Sequence, residues 1–328
     1  MYLVTGATGF VGSAVVRQLL ARSDDVRVLT RAGSDQANIQ GLSVDVVEGD
    51  LLVPGSLPAA VEGCAGVFHV AADYRLWTRD PDAMFRANVE GSRALIEAAH
   101  AAGVPKIVYT SSVAVLGNIP GAAADEATPV TFDDMIGPYK QSKYRAEEAV
   151  RRLIDEDGAP VVIVNPSTPI GPRDIKPTPT GRVIVEAASG KMPAFVDTGL
   201  NVAHVDDVAD GHLLAFEHGL VGERYILGGD DMPLAEILGV VAEKVNRRPP
   251  KWRIPHGAIM PIAHLAEAWT RISGGDEPFV TVDGVKMARK FMFFSSTKAE
   301  RELGYQHRPA REALNDAVDW FSAHGYIV

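Results

Sequence analysis

The chain has 328 residues, 46% apolar and 23% charged, and its 32 basic against 42 acidic side chains leave a formal net charge of −10. A chain of this length buries a large core without covalent staples, and the single cysteine, Cys64, excludes an internal disulfide framework and a multi-cysteine metal site. The acidic excess counts against a nucleic-acid partner, and no apolar run reaches the ~18 residues that a membrane span requires.

Tyr2-Leu3-Val4-Thr5 predicts a buried strand, and Gly6-Ala7-Thr8-Gly9-Phe10-Val11-Gly12 follows as a glycine-rich turn. Residues 13–22 place Val15, Val16, Leu19 and Leu20 on one helical face. Strands are expected at 26–29, 44–47 and 67–70, a helix over 94–102, and a strand at 107–109. A charged helix over 139–153 and a strand at 161–164 come next. β-Branched runs alternating with helices predict an α/β protein, a Rossmann-type doubly wound parallel sheet covered on both faces. Residues 166–181 carry five prolines and two glycines and read as a structured loop without regular structure. Beyond it, a helix over 205–216 is expected with Asp206 or Asp207 as its cap. A strand at 225–227 and helices over 234–245, 255–272 and 308–324 complete the chain. The domain reading is a dinucleotide-binding part at 1–165, with 200–228 returning to it, and a smaller C-terminal substrate-binding region at 166–199 and 229–328.

Strand, glycine turn and helix in that order form a phosphate cradle. Gly6 permits the tight turn, Gly9 lets backbone approach a pyrophosphate, and Gly12 lets the helix pack close, with the helix N-terminus facing the anion. The second strand ends Val28-Leu29-Thr30-Arg31, without the carboxylate that grips a ribose diol. A guanidinium at Arg31, with a donor at Ser34, suits a 2′-phosphate. NADP is therefore favoured, with NAD as the alternative. Thr110-Ser111-Ser112 closes the fifth strand, and Tyr139 and Lys143 lie four apart on one helical face. A phenol acting near neutrality needs a nearby ammonium, and Ser112 can position a substrate oxygen. These three residues are the catalytic candidates.

On these residues the sequence resembles an extended short-chain dehydrogenase/reductase over essentially its whole length. The resemblance matches Gly6, Gly9 and Gly12 to the glycine motif, Tyr139 and Lys143 to the catalytic pair, and Ser112 to the catalytic serine or threonine. It implies that Asp50-Leu51 meets the adenine, that His69-Val70-Ala71-Ala72 lines the cofactor, and that Asn88-Val89-Glu90-Gly91 ties the sheet together. Thr8, Phe10, Val11, Thr110, Pro166 and Thr168 complete the implied cofactor set. His204-Val205-Asp206-Asp207-Val208 is a further landmark. Within the superfamily, 72–77 and 165–174 look most like hopanoid-associated sugar epimerases, and Arg31 like dihydroflavonol 4-reductases. Nucleotide-sugar epimerases carry Arg-Asp-aromatic just before the His-Val landmark, where this chain has Leu200-Asn201-Val202. The resemblance also implies a homodimer through the helix at about 83–102 and the one carrying Tyr139.

The substrate candidates are Asp73, Tyr74, Trp77, Asn165, Ser167 and Arg173. Phe195, Met260 and Trp269 read as core. Lys251-Trp252-Arg253 and the apolar stretch 255–272 offer a membrane-surface contact, which the net charge counts against. Cys64 reads as buried. The nine histidines show no ligand spacing, so no metal is expected. No basic segment precedes an apolar one at the N-terminus, so a cytoplasmic chain is expected. The leading functional reading is an NADP(H)-dependent oxidoreductase that moves hydride to or from a carbonyl or secondary alcohol of a small-molecule substrate. A sugar epimerase or dehydratase linked to hopanoid biosynthesis and a non-catalytic cofactor sensor are the alternatives.

Overall fold

The structure is a computed structural model that describes residues 1–274, 278 and 280–327. Its first half runs β1 (Tyr2–Thr5), α1 (Phe10–Ala21), β2 (Val26–Thr30), β3 (Asp45–Glu48), α2 (Leu57–Val61), β4 (Gly66–His69), α3 (Pro81–Phe85), α4 (Gly91–Ala101), β5 (Ile107–Thr110), α5 (Gly137–Asp157) and β6 (Val161–Pro166). Then come β7 (Thr168–Ile170), α6 (Pro179–Ala188), β8 (Ala194–Phe195), β9 (Gly199–His204), α7 (Val205–His218), β10 (Arg224–Leu227), β11 (Asp230–Pro233) and α8 (Leu234–Lys244). β12 (Trp252–Arg253), α9 (His256–Ser273), α10 (Val282–Met287), β13 (Phe291–Met292), α11 (Thr297–Leu303) and α12 (Ala310–Ala323) end the chain.

Seven strands form a parallel sheet in the order β10-β6-β5-β4-β1-β2-β3. Successive side chains of a strand point to opposite faces, and β1 shows this directly. Val4 joins the core beneath α1, α7 and α11, whereas Leu3 joins the core beneath α2, α4 and α5. Both faces are thus covered, as a parallel sheet requires. The strand order reverses beside β1, between β2 and β4, which opens a crevice at the carboxyl ends of these strands. A third core gathers α6, α8 and α12 around β9 and β11.

The prediction of an irregular 166–181 is corrected. Pro166 ends β6, Pro169 lies in β7, and Pro179 opens α6, where its missing amide costs nothing. The cap of α7 is neither Asp206 nor Asp207 but His204, whose Nδ1 accepts from the Asp206 amide at 3.0 Å. Both aspartates lie in the first turn instead, where they complement the helix dipole. Within 200–228, β10 joins the large sheet and α7 packs into the first core, while β9 pairs with β7, β11 and β13 in the smaller sheet. Within 229–328, Ala299, Leu303 and Tyr305 also pack into the first core. Trp269, expected in the core, is 69% exposed. Cys64 is buried.

Candidate active site

The glycine turn sits at the crevice. Gly6 has φ +69°, and a Cβ there would lie 2.7 Å from the Ala71 amide nitrogen, so the turn lies directly against the strand-end segment Val70-Ala71. A Cβ on Gly12 would lie 2.1 Å from the Gly6 carbonyl oxygen. No side chain can occupy either point. Gly9 precedes α1 at its cap position and offers no side-chain cap, so the first-turn amides at Phe10, Val11 and Gly12 are left for an anion. Asn38 donates to the Thr8 carbonyl at 3.2 Å and steadies the turn from outside. These features fit a dinucleotide pyrophosphate.

Around the cradle, Arg31 is exposed just beyond β2, and the Ser34 amide donates to the Arg31 carbonyl at 3.1 Å. No carboxylate pairs with Arg31 among the described residues. Asp50 follows β3 and accepts from the Leu52 amide at 2.9 Å, which orients the Asp50-Leu51 corner. Ala72 follows Ala71 in the segment after β4, partly exposed at the crevice. Asn88 lies in a π-helical turn, Arg86–Glu90. Its amide is fully engaged, bonded to the Asp73 amide (2.7 Å), the Asp73 carbonyl (2.9 Å) and Ser142 Oγ (2.9 Å). It therefore holds the segment after β4 onto α5 and has no donor left over.

The catalytic candidates converge from two elements. Ser112, just past β5, hydrogen-bonds the Tyr139 phenol on α5. Burial raises the Tyr139 pKa above its ordinary value, and that hydrogen bond opposes the rise. Lys143 is buried, and its Nζ donates to the Thr110 carbonyl at 2.8 Å. It also reaches Tyr109 Oη at 3.4 Å. Burial lowers Lys143 to about 8, and the carboxylate of Glu147, one turn further along α5, limits the fall.

Sequence reading missed Glu147. It is buried, accepts from Arg151 (2.9 Å) and Arg224 (3.2 Å), and takes a third hydrogen bond from Asn165 Nδ2 at 3.2 Å. Burial alone would raise its pKa, but Arg151 and Arg224 hold it below the usual carboxylate range. The one available signal was its position four after Lys143, which does not stand out on a helix so rich in charge.

The expected substrate residues separate. Asn165 is fully buried and also donates to the Ser112 carbonyl at 3.0 Å, so it braces the catalytic segment rather than forming an open wall. Its Oδ1 and the Ser167 Oγ are buried without a hydrogen-bond partner at the end of β6, beside Pro166 and Thr168. Arg173 pairs with Asp206. Asp73 binds Arg75, Tyr74 is 42% exposed, and Trp77 is partly exposed.

A parallel sheet of this order, a side-chain-free cradle at its reversal point and a Ser-Tyr-Lys set beside it define an NAD(P)-dependent oxidoreductase architecture. The chain belongs to the NAD dependent epimerase/dehydratase family, whose family model matches residues 2–228. It is an enzyme of the extended short-chain dehydrogenase/reductase type. It is 45% identical over 331 residues to a Synechocystis sp. protein assigned provisionally as a dihydroflavonol 4-reductase, covering 99% of this chain and 96% of that one. Sterol demethylase protein B of Methylococcus capsulatus is 35% identical over 331 residues, with 99% of both chains covered. Among solved structures, that of gox2253 superposes with a TM-score of 0.90 at 53% identity, covering 100% of this chain and 99% of that one.

Proposed function

We propose that this enzyme is an NADP(H)-dependent reductase that interconverts a carbonyl and a secondary alcohol on an apolar fused-ring substrate. The observation that carries the cofactor choice is Arg31, exposed at the tip of β2 where a diol-binding carboxylate would otherwise stand. Leu200 supports the exclusion of a nucleotide-diphosphate substrate: it stands where nucleotide-sugar epimerases carry the arginine, and it packs against the third core. Asn201 beside it is fully buried, its amide bonded to Gly229, Asp231 and Phe294. The two relatives named for a dihydroflavonol and a sterol support a fused-ring substrate, and Tyr74 and Trp77 offer it aromatic surface.

A bound nicotinamide supplies or accepts the hydride. Gly6, Gly9 and Gly12 with the start of α1 would hold the pyrophosphate, and Arg31 with Ser34 the 2′-phosphate. Ser112 and Tyr139 hold the substrate oxygen between their hydroxyls. In the reducing direction the Tyr139 phenol gives its proton to that oxygen. Lys143, charged below about pH 8, stabilises the phenolate that results. Asn165 and Glu147 keep the Ser112 backbone and Lys143 in place behind them.

Calorimetric titration of the cofactor-free enzyme with NADP⁺ and NAD⁺, repeated on Arg31→Ala, tests the reading. NADP⁺ is expected to bind about tenfold or more tighter, and the mutant to lose that margin, about 1.4 kcal/mol. Preference for NAD⁺ that Arg31→Ala leaves unchanged would overturn it and favour an epimerase or dehydratase, which consumes no cofactor in net turnover. A homodimer through α4 and α5 belongs to the same proposal. That face carries ion pairs such as Arg93–Glu97 and Arg145–Glu148 and no exposed large apolar side chain. Light scattering that finds only a 35.1 kDa species would remove the dimer.

A further inference from the structure

The solvent face of α9 is apolar in a way that no other helix of the described residues matches. Ile262, Leu265, Trp269 and Ile272 are 54, 71, 69 and 82% exposed. Their spacing of three, four and three residues puts them on one stripe of the helix. Trp252, 75% exposed, stands in the strand that leads into α9. Among the described residues fourteen large apolar side chains are exposed, and these five fall within 252–272.

Among the described residues the exposed charge around the stripe is mainly basic, while Asp276 and Glu277 follow the helix in the sequence outside those residues. α9 contains a single carboxylate, Glu267, and that side chain is mostly buried, accepting from the Val282 amide at 2.7 Å and facing Arg271 at 3.7 Å. Arg271 is 69% exposed, and His264 and Ser273 are the other exposed polar groups on the helix. Lys251 and Arg253 are exposed just before it, with Arg253 held to Asp197 at 3.1 Å. In a chain of net charge −10 the described residues thus set a local cationic rim around an apolar stripe.

We propose that α9 is a docking surface for an anionic lipid bilayer, with Ile262, Leu265, Trp269 and Ile272 inserted to the level of the acyl boundary and Arg271, Lys251 and Arg253 at the headgroups. Among the described residues no helix is long and apolar enough to cross a membrane, so the contact is a surface one. A second copy fits less well. One helix face is ~27 Å long and ~10 Å wide, on the order of 300 Å², against about 800 Å² per partner in a standard stable interface. A bilayer needs no complementary shape.

The stripe is also continuous with the candidate substrate side. Arg79 Nη2 donates to the Thr270 carbonyl at 3.1 Å, which ties the end of α9 to the segment carrying Asp73, Tyr74 and Trp77. α10 packs against α9, and its Asp283 would lie 2.9 Å from a Cβ on Gly137, the first residue of the helix that carries Tyr139. A membrane-dissolved ring compound would thus reach the site from the docked face. This last step rests on the reductase proposal, whereas the docking itself does not.

Flotation of the full-length protein with vesicles of phosphatidylcholine, with and without about 30% phosphatidylglycerol, decides it. Neither cofactor nor substrate is added, so failure here leaves the cofactor titration untouched, and the reverse. The expected result is flotation with the anionic vesicles and weaker flotation with the neutral ones. The partition should fall tenfold or more in a Leu265→Ser/Ile272→Ser double variant and fall on the anionic vesicles alone in Arg271→Glu. An unchanged far-ultraviolet circular dichroism spectrum and thermal midpoint in each variant confirm that the fold is intact. Flotation with neither vesicle overturns the proposal, as does equal flotation of wild type and double variant. A vesicle-independent dimer that the double variant abolishes assigns the face to a second copy and also overturns it.

Discussion

Tyr139 and Lys143 stand one turn apart on α5, yet the ammonium directs its short hydrogen bond to the Thr110 carbonyl and not to the phenol. Its influence on Tyr139 is therefore through space, and it depends on the lysine remaining charged in a buried site. Glu147 is the group that keeps it so. Glu147→Gln keeps one acceptor oxygen for Arg151 and Arg224 but removes the charge and the second oxygen, which accepts from Asn165 Nδ2. Lys143 should then lose its proton below about pH 8, and the alkaline limb of the pH profile of kcat/KM should move to lower pH. An unmoved limb would show that Glu147 serves packing alone. Tyr139→Phe removes the proton donor itself. Single-turnover hydride transfer should fall about 10²–10⁴-fold while calorimetric cofactor affinity holds within a few-fold. Tyr139, Lys143 and Ser112 were legible in the sequence because helical spacing and strand-end position are local signals. Glu147 and the bracing role of Asn165 were not, because each depends on which side chains meet across separate elements.

At the scale of elements, two buried histidines fasten strands to helices. His69 on β4 bonds Thr5 at 2.7 Å and Ser92 on α4 at 2.9 Å. His212 on α7 bonds Thr110 on β5 at 2.9 Å. Burial lowers their pKa values to about 3 and about 4. The unfolded chain takes up protons at these positions below about pH 6.5, whereas the folded chain does not until far lower pH. Their stabilising effect is therefore complete above pH 6.5 and lost as pH falls from there toward 4 and 3. At pH 5 each should cost about 2 kcal/mol relative to neutrality. Urea unfolding at pH 7 and pH 5 should show the drop, and His212→Gln should remove about half of it. An unchanged drop would place the acid sensitivity elsewhere. The glycine turn is tested by Gly12→Ala, whose methyl must displace the Gly6 carbonyl oxygen from 2.1 Å. Overpacking of this kind costs about 1–3 kcal/mol, and NADP⁺ affinity measured by calorimetry should fall at least about tenfold as the cradle opens. The central strands were readable because a parallel sheet buried on both faces writes itself as β-branched runs. β7, β8, β12 and β13 were not, since each spans two or three residues, too few to show a period. β9 and β11 were missed as well, because Gly199–His204 and Asp230–Pro233 carry no β-branched run. The prolines of 166–181 misled for a related reason: a strand end and the first turn of a helix both accept them.

Across the whole molecule the chain crosses between cores instead of finishing one before starting the next. α7 lies in the first core, and its Asp207 is a buried carboxylate. Arg308, at the entrance to α12, donates to it from the backbone amide at 2.7 Å, from Nε at 2.8 Å and from Nη2 at 2.7 Å. α12 belongs to the third core. This bridge is a charged fastening between the two, with a guanidinium about one-third exposed, so solvent screening limits its strength. Arg308→Ala retains the amide bond and removes the rest, for an expected loss of about 1–2 kcal/mol. Where that loss appears distinguishes two descriptions of the molecule. If the cores are separate cooperative units joined by the bridge, native-state hydrogen exchange should show α12 amides opening more readily while β1 and β4 amides keep their protection. If instead all of these amides weaken together, the interleaved strands and α11 have already merged the cores into one unit, and the bridge adds stability without dividing it.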